Sequence, residues 1–238
     1  MDKRKEQILN IIIKEYIKTG IPVGSSALVS KYKMDISPAT VRNEMALLED
    51  EGYIAQPHTS AGRIPTEKAY NFYIQNLKIK KISNDFFLKF NDILVDSKEE
   101  SFKKMARALS EITNSAIFWA FHRHNLYYTG VSNLFKQPEF MPGVSKLPVE
   151  KNFDILYDIS AIIDRMEDII DEIFEKVEFG ENIYLGSKNP FGNFCGTIMY
   201  KYKSEEKIGI FGLLGPMRID YEKNISLMRQ IFEKINQN

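Results

Sequence analysis

"SPATVRNEMALLEDEGYIAQPHTSAGRIPTEKAY", residues 37–70, decides the fold of the N-terminal part of this chain. Ser37 followed by Pro38 is a helix start: a cap oxygen, then a residue that needs no partner for a backbone donor. Gly52 stands where a left-handed C-terminal residue belongs. Between them Val41, Met45 and Leu48 repeat at i, i+4, i+7 and form a core face. Ala39, Thr40, Arg42 and Asn43 cannot share that face. The open N-terminal half of the helix is therefore small, polar and carries one guanidinium. The acidic Glu49, Asp50 and Glu51 sit at its far end. After Gly52, "YIAQP" reads as a short strand, "HTSAG" as a turn and "RIPT" as a return strand. Thr66 then caps the helix "EKAYNFYIQNL".

Working outward, Ile8, Ile12 and Tyr16, with Leu9 and Ile13 beside them, form one apolar helical stripe that Gly20 and Pro22 end. "VGSSALVSKY" (23–32) offers Ser25 or Ser26 as an N-cap and Leu28, Val29 and Tyr32 as the buried side of a short second helix. The order helix, helix, helix, hairpin, helix predicts a winged helix-turn-helix domain over residues 1–77. A helix about 10–12 Å across fits a major groove about 12 Å wide. Ser37, Ala39, Thr40, Arg42 and Asn43 are then candidate groove contacts. The hairpin would lay His58, Thr59, Ser60, Gly62 and Arg63 along the backbone or the minor groove, Gly62 allowing close backbone approach. The same module can instead dock protein without binding DNA.

Composition restrains the rest. The 238 residues hold 32 basic and 32 acidic side chains, so overall charge points to no partner. Residues 1–80 carry 12 Lys and Arg against 9 Asp and Glu, a mild basic excess. The single cysteine, Cys195, rules out an intrachain disulfide and fits a reducing cytoplasm. Charged and polar residues interrupt the first apolar run, which argues against a signal peptide. No stretch approaches the roughly 18 apolar residues of a membrane span.

The second half reads as α+β. Residues 78–84 are a basic linker, and residues 85–238 form one further domain. "FFLKFNDILVD" (86–96) and "SFKKMARALSEI" (101–112) are helical. "AIFWAF" and "LYYTGV" are strands joined near His122–Asn125. "FDILYDISAIIDRMEDIIDEIFEKV" (153–177) is one long amphipathic helix. "NIYLG", "CGTIMYKYK" and "KIGIFGLLGP" are strands, and "YEKNISLMRQIFEKI" is a closing helix. No catalytic constellation emerges. His122 and His124 have no companion ligands, and the Asp158–Glu172 acids form the wet face of the long helix. "GSKNPFGNFCG" lacks phosphate-loop spacing, Cys195 lacks an activating His, and Arg218 with Asp220 reads as a structural pair. The chain is expected to be neither an enzyme nor a holder of cofactor or metal. An apolar pocket in this half would make it a small-molecule-responsive regulator instead.

"GSSALVSKYKMDISPATVRNEMALLEDEGYIAQPHTSAGRIPTEKAYNFYI" closely resembles the N-terminal domain of the HrcA heat-inducible transcription repressors. "MARALSEITNSA" (105–116), "TGVSNLFKQPEF" (129–140) and "GIFGLLGPMRIDYEKNISLM" (209–228) resemble the family's C-terminal portion, so the likeness covers most of the chain. The resemblance implies a GAF-like domain over residues 85–238. It also implies repression of chaperone operons through an inverted-repeat operator of the CIRCE type, bound as a homodimer and released on heat stress, with a GroEL-type chaperonin as partner. Family members are usually longer. Here "SAIFWAFHRHNLYYTGVSNLF" runs between family-like segments with almost nothing between, so the usual inserted dimerising domain is expected to be missing.

Overall fold

The computed structural model describes residues 1–79, 98–137, 149–204 and 207–236. The chain divides into two units, Met1–Lys78 and Ile79–Asn238. Most of the linker expected at 78–84, and the helix expected at 86–96, lie outside the described residues.

In the first unit, α1 (Lys3–Thr19), α2 (Ser25–Tyr32) and α3 (Pro38–Asp50) precede an antiparallel hairpin of β1 (Ile54–Ala55) and β2 (Ile64–Pro65), then α4 (Glu67–Gln75). Ile8, Leu9, Ile12 and Ile13 of α1 are fully buried, as are Val41 and Leu48 of α3. Each such side chain contributes about 1.5–3 kcal/mol by leaving water. Ser37 caps α3, its Oγ accepting from Thr40 N at 3.1 Å, and Gly52 takes the left-handed φ of 76° that ends it. The cap of α2 differs from expectation. Gly24 occupies that position with no side-chain bond, and Ser25 is a buried helical residue. Tyr32 is also exposed rather than core, its hydroxyl donating to Glu15 Oε2 at 2.8 Å.

The second unit is an α+β sandwich. Its five antiparallel strands are β3 (Ala116–His122), β4 (Asn125–Thr129), β5 (Gly180–Leu185), β6 (Cys195–Ser204) and β7 (Lys207–Pro216), in the order β4-β3-β7-β6-β5. Strand alternation sends side chains to opposite faces. One face carries Trp119, Tyr200, Tyr202 and Phe211. It meets α5 (Glu99–Thr113) through Phe102, stacked 4.8 Å from Trp119, and α9 (Tyr221–Ile235) through Phe232, 5.0 Å from Tyr200. Trp119 Nε1 donates to Tyr202 Oη at 2.8 Å, so the buried polar atoms of this aromatic stack are paired. The other face, with Phe118, Met199, Ile210 and Leu214, forms a core with Ile159 of α7 (Val149–Asp164) and Met166, Ile169 and Ile170 of α8 (Met166–Ile173). The helix expected over 153–177 thus breaks at Arg165 (φ −104°, ψ 9°). β4 ends at Thr129, two residues short of the expected strand, and a single turn, α6 (Ser132–Phe135), follows. No described helix is long and apolar enough to cross a membrane.

Candidate nucleic-acid interface

In the first unit a cleft of about 660 Å³ lies between the start of α2, α3 and the hairpin. Gly24, Ser25, Ser26 and Ala27 line one side, Arg42 and Met45 of α3 another, and Gln56 with Thr59–Arg63 the third. Five of the residues singled out from the sequence, Arg42, Thr59, Ser60, Gly62 and Arg63, therefore meet in one cleft. Ser37, Ala39, Thr40 and Asn43 stay on the outward side of α3, Thr40 half-buried and the others exposed. The Ser37 hydroxyl is already engaged, as cap acceptor and as partner to Thr40 Oγ1 at 2.9 Å. His58 does not line the cleft: its Nε2 is buried with no partner, and Nδ1 lies 3.5 Å from Ser60 Oγ.

The hairpin is held by residues that the sequence reading passed over. Gln56 Nε2 donates to the carbonyls of Thr59 at 2.9 Å and Ala61 at 3.0 Å, gathering the tip. Glu49, assigned from sequence to a remote acidic cluster, reaches the hairpin. Its Oε1 accepts from Gln56 N at 3.1 Å and its Oε2 from Arg63 Nε at 2.8 Å. Arg63 also exchanges backbone hydrogen bonds with Val23, at 2.8 and 2.9 Å, adding a third extended segment to the hairpin. Gly62 serves that junction. A Cβ there would stand 2.5 Å from the carbonyl carbon and oxygen of Val23.

In the second unit, His124 Nδ1 lies 2.9 Å from Asp171 Oδ2 in an exposed pair. Cys195 is a buried core residue, and burial pushes its thiol far up from its ordinary range, with Asp158 adding to the effect. Arg218 donates to Gln137 Oε1 at 2.9 Å, and Asp220 instead caps α9 by accepting from Lys223 N at 3.1 Å. Among the described residues no group of three or more His, Cys, Asp or Glu could hold a metal. A cleft of about 350 Å³ opens between α7, α8 and residues 190–194, lined by Asp158 and Arg165 along with Ile162, Phe191 and Phe194.

A family model described as the HrcA protein C terminal domain matches residues 66–225. Over 155 residues the chain is 38% identical to the heat-inducible transcription repressor HrcA of Thermoanaerobacter pseudethanolicus, covering 64% of this chain and 41% of that protein. Over 123 residues it is 46% identical to the protein of the same name from Natranaerobius thermophilus, covering 47% and 34%. The match thus spans well under half the length of these curated relatives. Among solved structures, a crystal structure of a hypothetical protein covers 100% of this chain with 98% of its own, at a TM-score of 0.78 and 18% identity. That likeness concerns the fold alone.

Proposed function

The chain belongs to the HrcA family, and from that premise we propose that it is a DNA-binding transcription repressor of heat-shock genes, with Met1–Lys78 as a winged helix. The observation that carries the reading is the cleft in which Arg42 and Arg63 meet. It adjoins a small, polar helix face formed by the exposed Ala39 and Asn43 with the half-buried Thr40. Such a face can enter the major groove, while two guanidinium groups suit the phosphates on either side. α2 begins with no side-chain cap, so its first backbone donors are open to a phosphate oxygen. The hairpin is then the wing, with Thr59, Ser60, Gly62 and Arg63 nearest the duplex. In this arrangement Ser37 acts as the cap of α3, and His58 supports the wing from behind.

An inverted-repeat operator of the CIRCE type requires a two-fold pair of such domains. In the second unit α9 is already committed, since Asn224 through Met228 are all buried. α7 exposes Tyr157 and is the better candidate. Release on heating, with a GroEL-type chaperonin restoring the active form, follows from the family resemblance. It is compatible with the marginal stability of most domains, about 5–15 kcal/mol.

The test is a titration of the chain against an inverted-repeat duplex and a scrambled duplex at two salt concentrations. Tight binding to the repeat alone, with a steep salt dependence, is expected. Arg42→Ala should weaken it at least about tenfold, the size of one lost charged contact. Equal and weak binding to both duplexes overturns the reading. The second cleft, between α7, α8 and residues 190–194, favours a small-molecule-responsive regulator as the alternative. A melting shift with a low-molecular-weight metabolite, lost in Arg165→Ala, would support that alternative.

A further inference from the structure

The geometry points to Glu49 as a positioning residue that sets the hairpin and the Arg63 guanidinium for the ligand of the α2–α3 cleft, with Gln56 as its relay to the hairpin tip. The inference rests on the DNA-binding reading above and extends it from the residues that touch DNA to those that aim them.

One carboxylate on the last turn of α3 grips both sides of the hairpin. Oε1 takes the backbone N–H of Gln56, just after β1, and Oε2 takes Nε of Arg63, just before β2. The Gln56 side chain passes the constraint onward to the carbonyls of Thr59 and Ala61. Arg63 is thus fixed at two ends. Two backbone bonds to Val23 hold its main chain, and Glu49 holds its head. Binding through Nε leaves both Nη groups without a protein partner among the described residues, so they are the donors open to a phosphate. Both partners are partly shielded, with side-chain exposures of 22% for Arg63 and 32% for Glu49. Since α3 carries the groove-reading face and Glu49 belongs to α3, this clasp fixes the distance between helix and wing.

The clasp makes a prediction opposite in sign to simple electrostatics. A carboxylate close to a phosphate backbone repels it, so removing the charge should tighten binding. If Glu49 aims Arg63, removing it should loosen binding. Glu49→Gln in the full chain is expected to weaken operator binding roughly three- to tenfold, as Arg63→Ala does, with one fewer phosphate contact in the salt slope. In the Arg63→Ala background, Glu49→Gln should cost less than it does in the parent, because only the grip on Gln56 is left to lose. Glu44→Gln removes the same charge from the same helix at a side chain that faces Arg4, 3.6 Å away, and it should leave affinity unchanged or slightly higher. Hydrogen exchange provides a readout that needs no DNA. The amides of Gln56, Ala61 and Arg63 should exchange faster in Glu49→Gln than in the parent, while those of α1 and α4 keep their protection. Binding as tight as the parent's, or tighter, in Glu49→Gln overturns the inference, as does unchanged exchange at the hairpin. Should the parent bind neither duplex, the DNA reading fails, and the exchange result alone upholds or overturns the clasp.

Discussion

Gly62 illustrates what a single residue conveys and what it conceals. Its place in "HTSAGR" suggests a glycine that lets a nucleic-acid backbone come close. In the folded chain the close approach is internal. A Cβ would lie 2.5 Å from the Val23 carbonyl and 2.8 Å from the Pro22 carbonyl carbon, main-chain atoms that cannot swing aside. Gly62→Ala should therefore break the Val23–Arg63 junction and cost about 1–3 kcal/mol, the usual range for overpacking. Gly24→Ser, at a helix cap where a Cβ meets nothing within 4 Å, should be neutral or slightly stabilising. Thermal melting of both variants by circular dichroism distinguishes the two cases. A Gly62→Ala chain as stable as the parent would mean that the hairpin does not rest on Val23. Arg42, Thr59, Ser60, Gly62 and Arg63 were legible as a group because polar, small and basic residues off an apolar stripe have few other uses. Glu49 and Gln56 were not, since nothing local marks a carboxylate that bonds seven and fourteen residues ahead. His58, read from the sequence as a wing contact, lies outside the cleft lining, with its Nε2 buried and its Nδ1 toward Ser60.

At the scale of elements, the caps of α3 and α4 were readable, while the cap of α2 and the break in the long helix were not. Ser37 and Gly52 bound α3 as their chemistry demands. The 153–177 stripe keeps its helical period across Arg165, where neither Gly nor Pro marks the division into α7 and α8. The end of α8 depends on a residue far away. Lys201 of β6 is buried, and its Nζ donates to the Phe174 carbonyl at 2.7 Å. The ammonium also lies 5.5 Å from the Phe174 ring and 5.2 Å from that of Phe179. A cation at a helix C-terminus offsets the dipole and satisfies a carbonyl that has no partner within the helix. Lys201→Met keeps most of the stem's packing but leaves that carbonyl unpaired. It should lower the stability of the second unit by about 1–3 kcal/mol. Denaturant titration followed by Trp119, the chain's one tryptophan, provides the measure. A midpoint equal to the parent's would show that the buried cation contributes nothing net. In an alternating strand such as "CGTIMYKYK", Lys201 and Lys203 look alike. The sheet order that buries the first and exposes the second comes from pairings such as Ala116 with Leu214, and no local pattern encodes those.

For the molecule as a whole, the second unit carries a pH liability that composition alone would hide. Tyr200, Tyr202 and Tyr221 are all buried, and burial is the main cause that holds each phenol protonated. Tyr202 is pushed up to about 12, Tyr200 further, and Tyr221 well above the ordinary phenol range. An unfolded tyrosine ionises near pH 10. Because the folded values are raised, the stabilisation is complete below about pH 10 and is lost as pH climbs toward and past 12. In that range each such group costs about 1.4 kcal/mol per pH unit, so three together cost about 4 kcal/mol per unit. Set against about 5–15 kcal/mol of total stability, this should unfold the unit cooperatively within a few pH units. Trp119 is buried in the same aromatic stack, so its fluorescence should change together with the tyrosinate absorbance of these residues. Tyr202→Phe separates the two effects of one hydroxyl. At neutral pH the variant should be less stable by about 1–3 kcal/mol, because Trp119 Nε1 loses its acceptor. Above pH 10 its stability should fall less steeply, by about 1.4 kcal/mol per unit, because one group no longer titrates. If all the tyrosines ionise while Trp119 fluorescence stays unchanged, these phenols are open to solvent and the face between the sheet, α5 and α9 is not the closed core described for it.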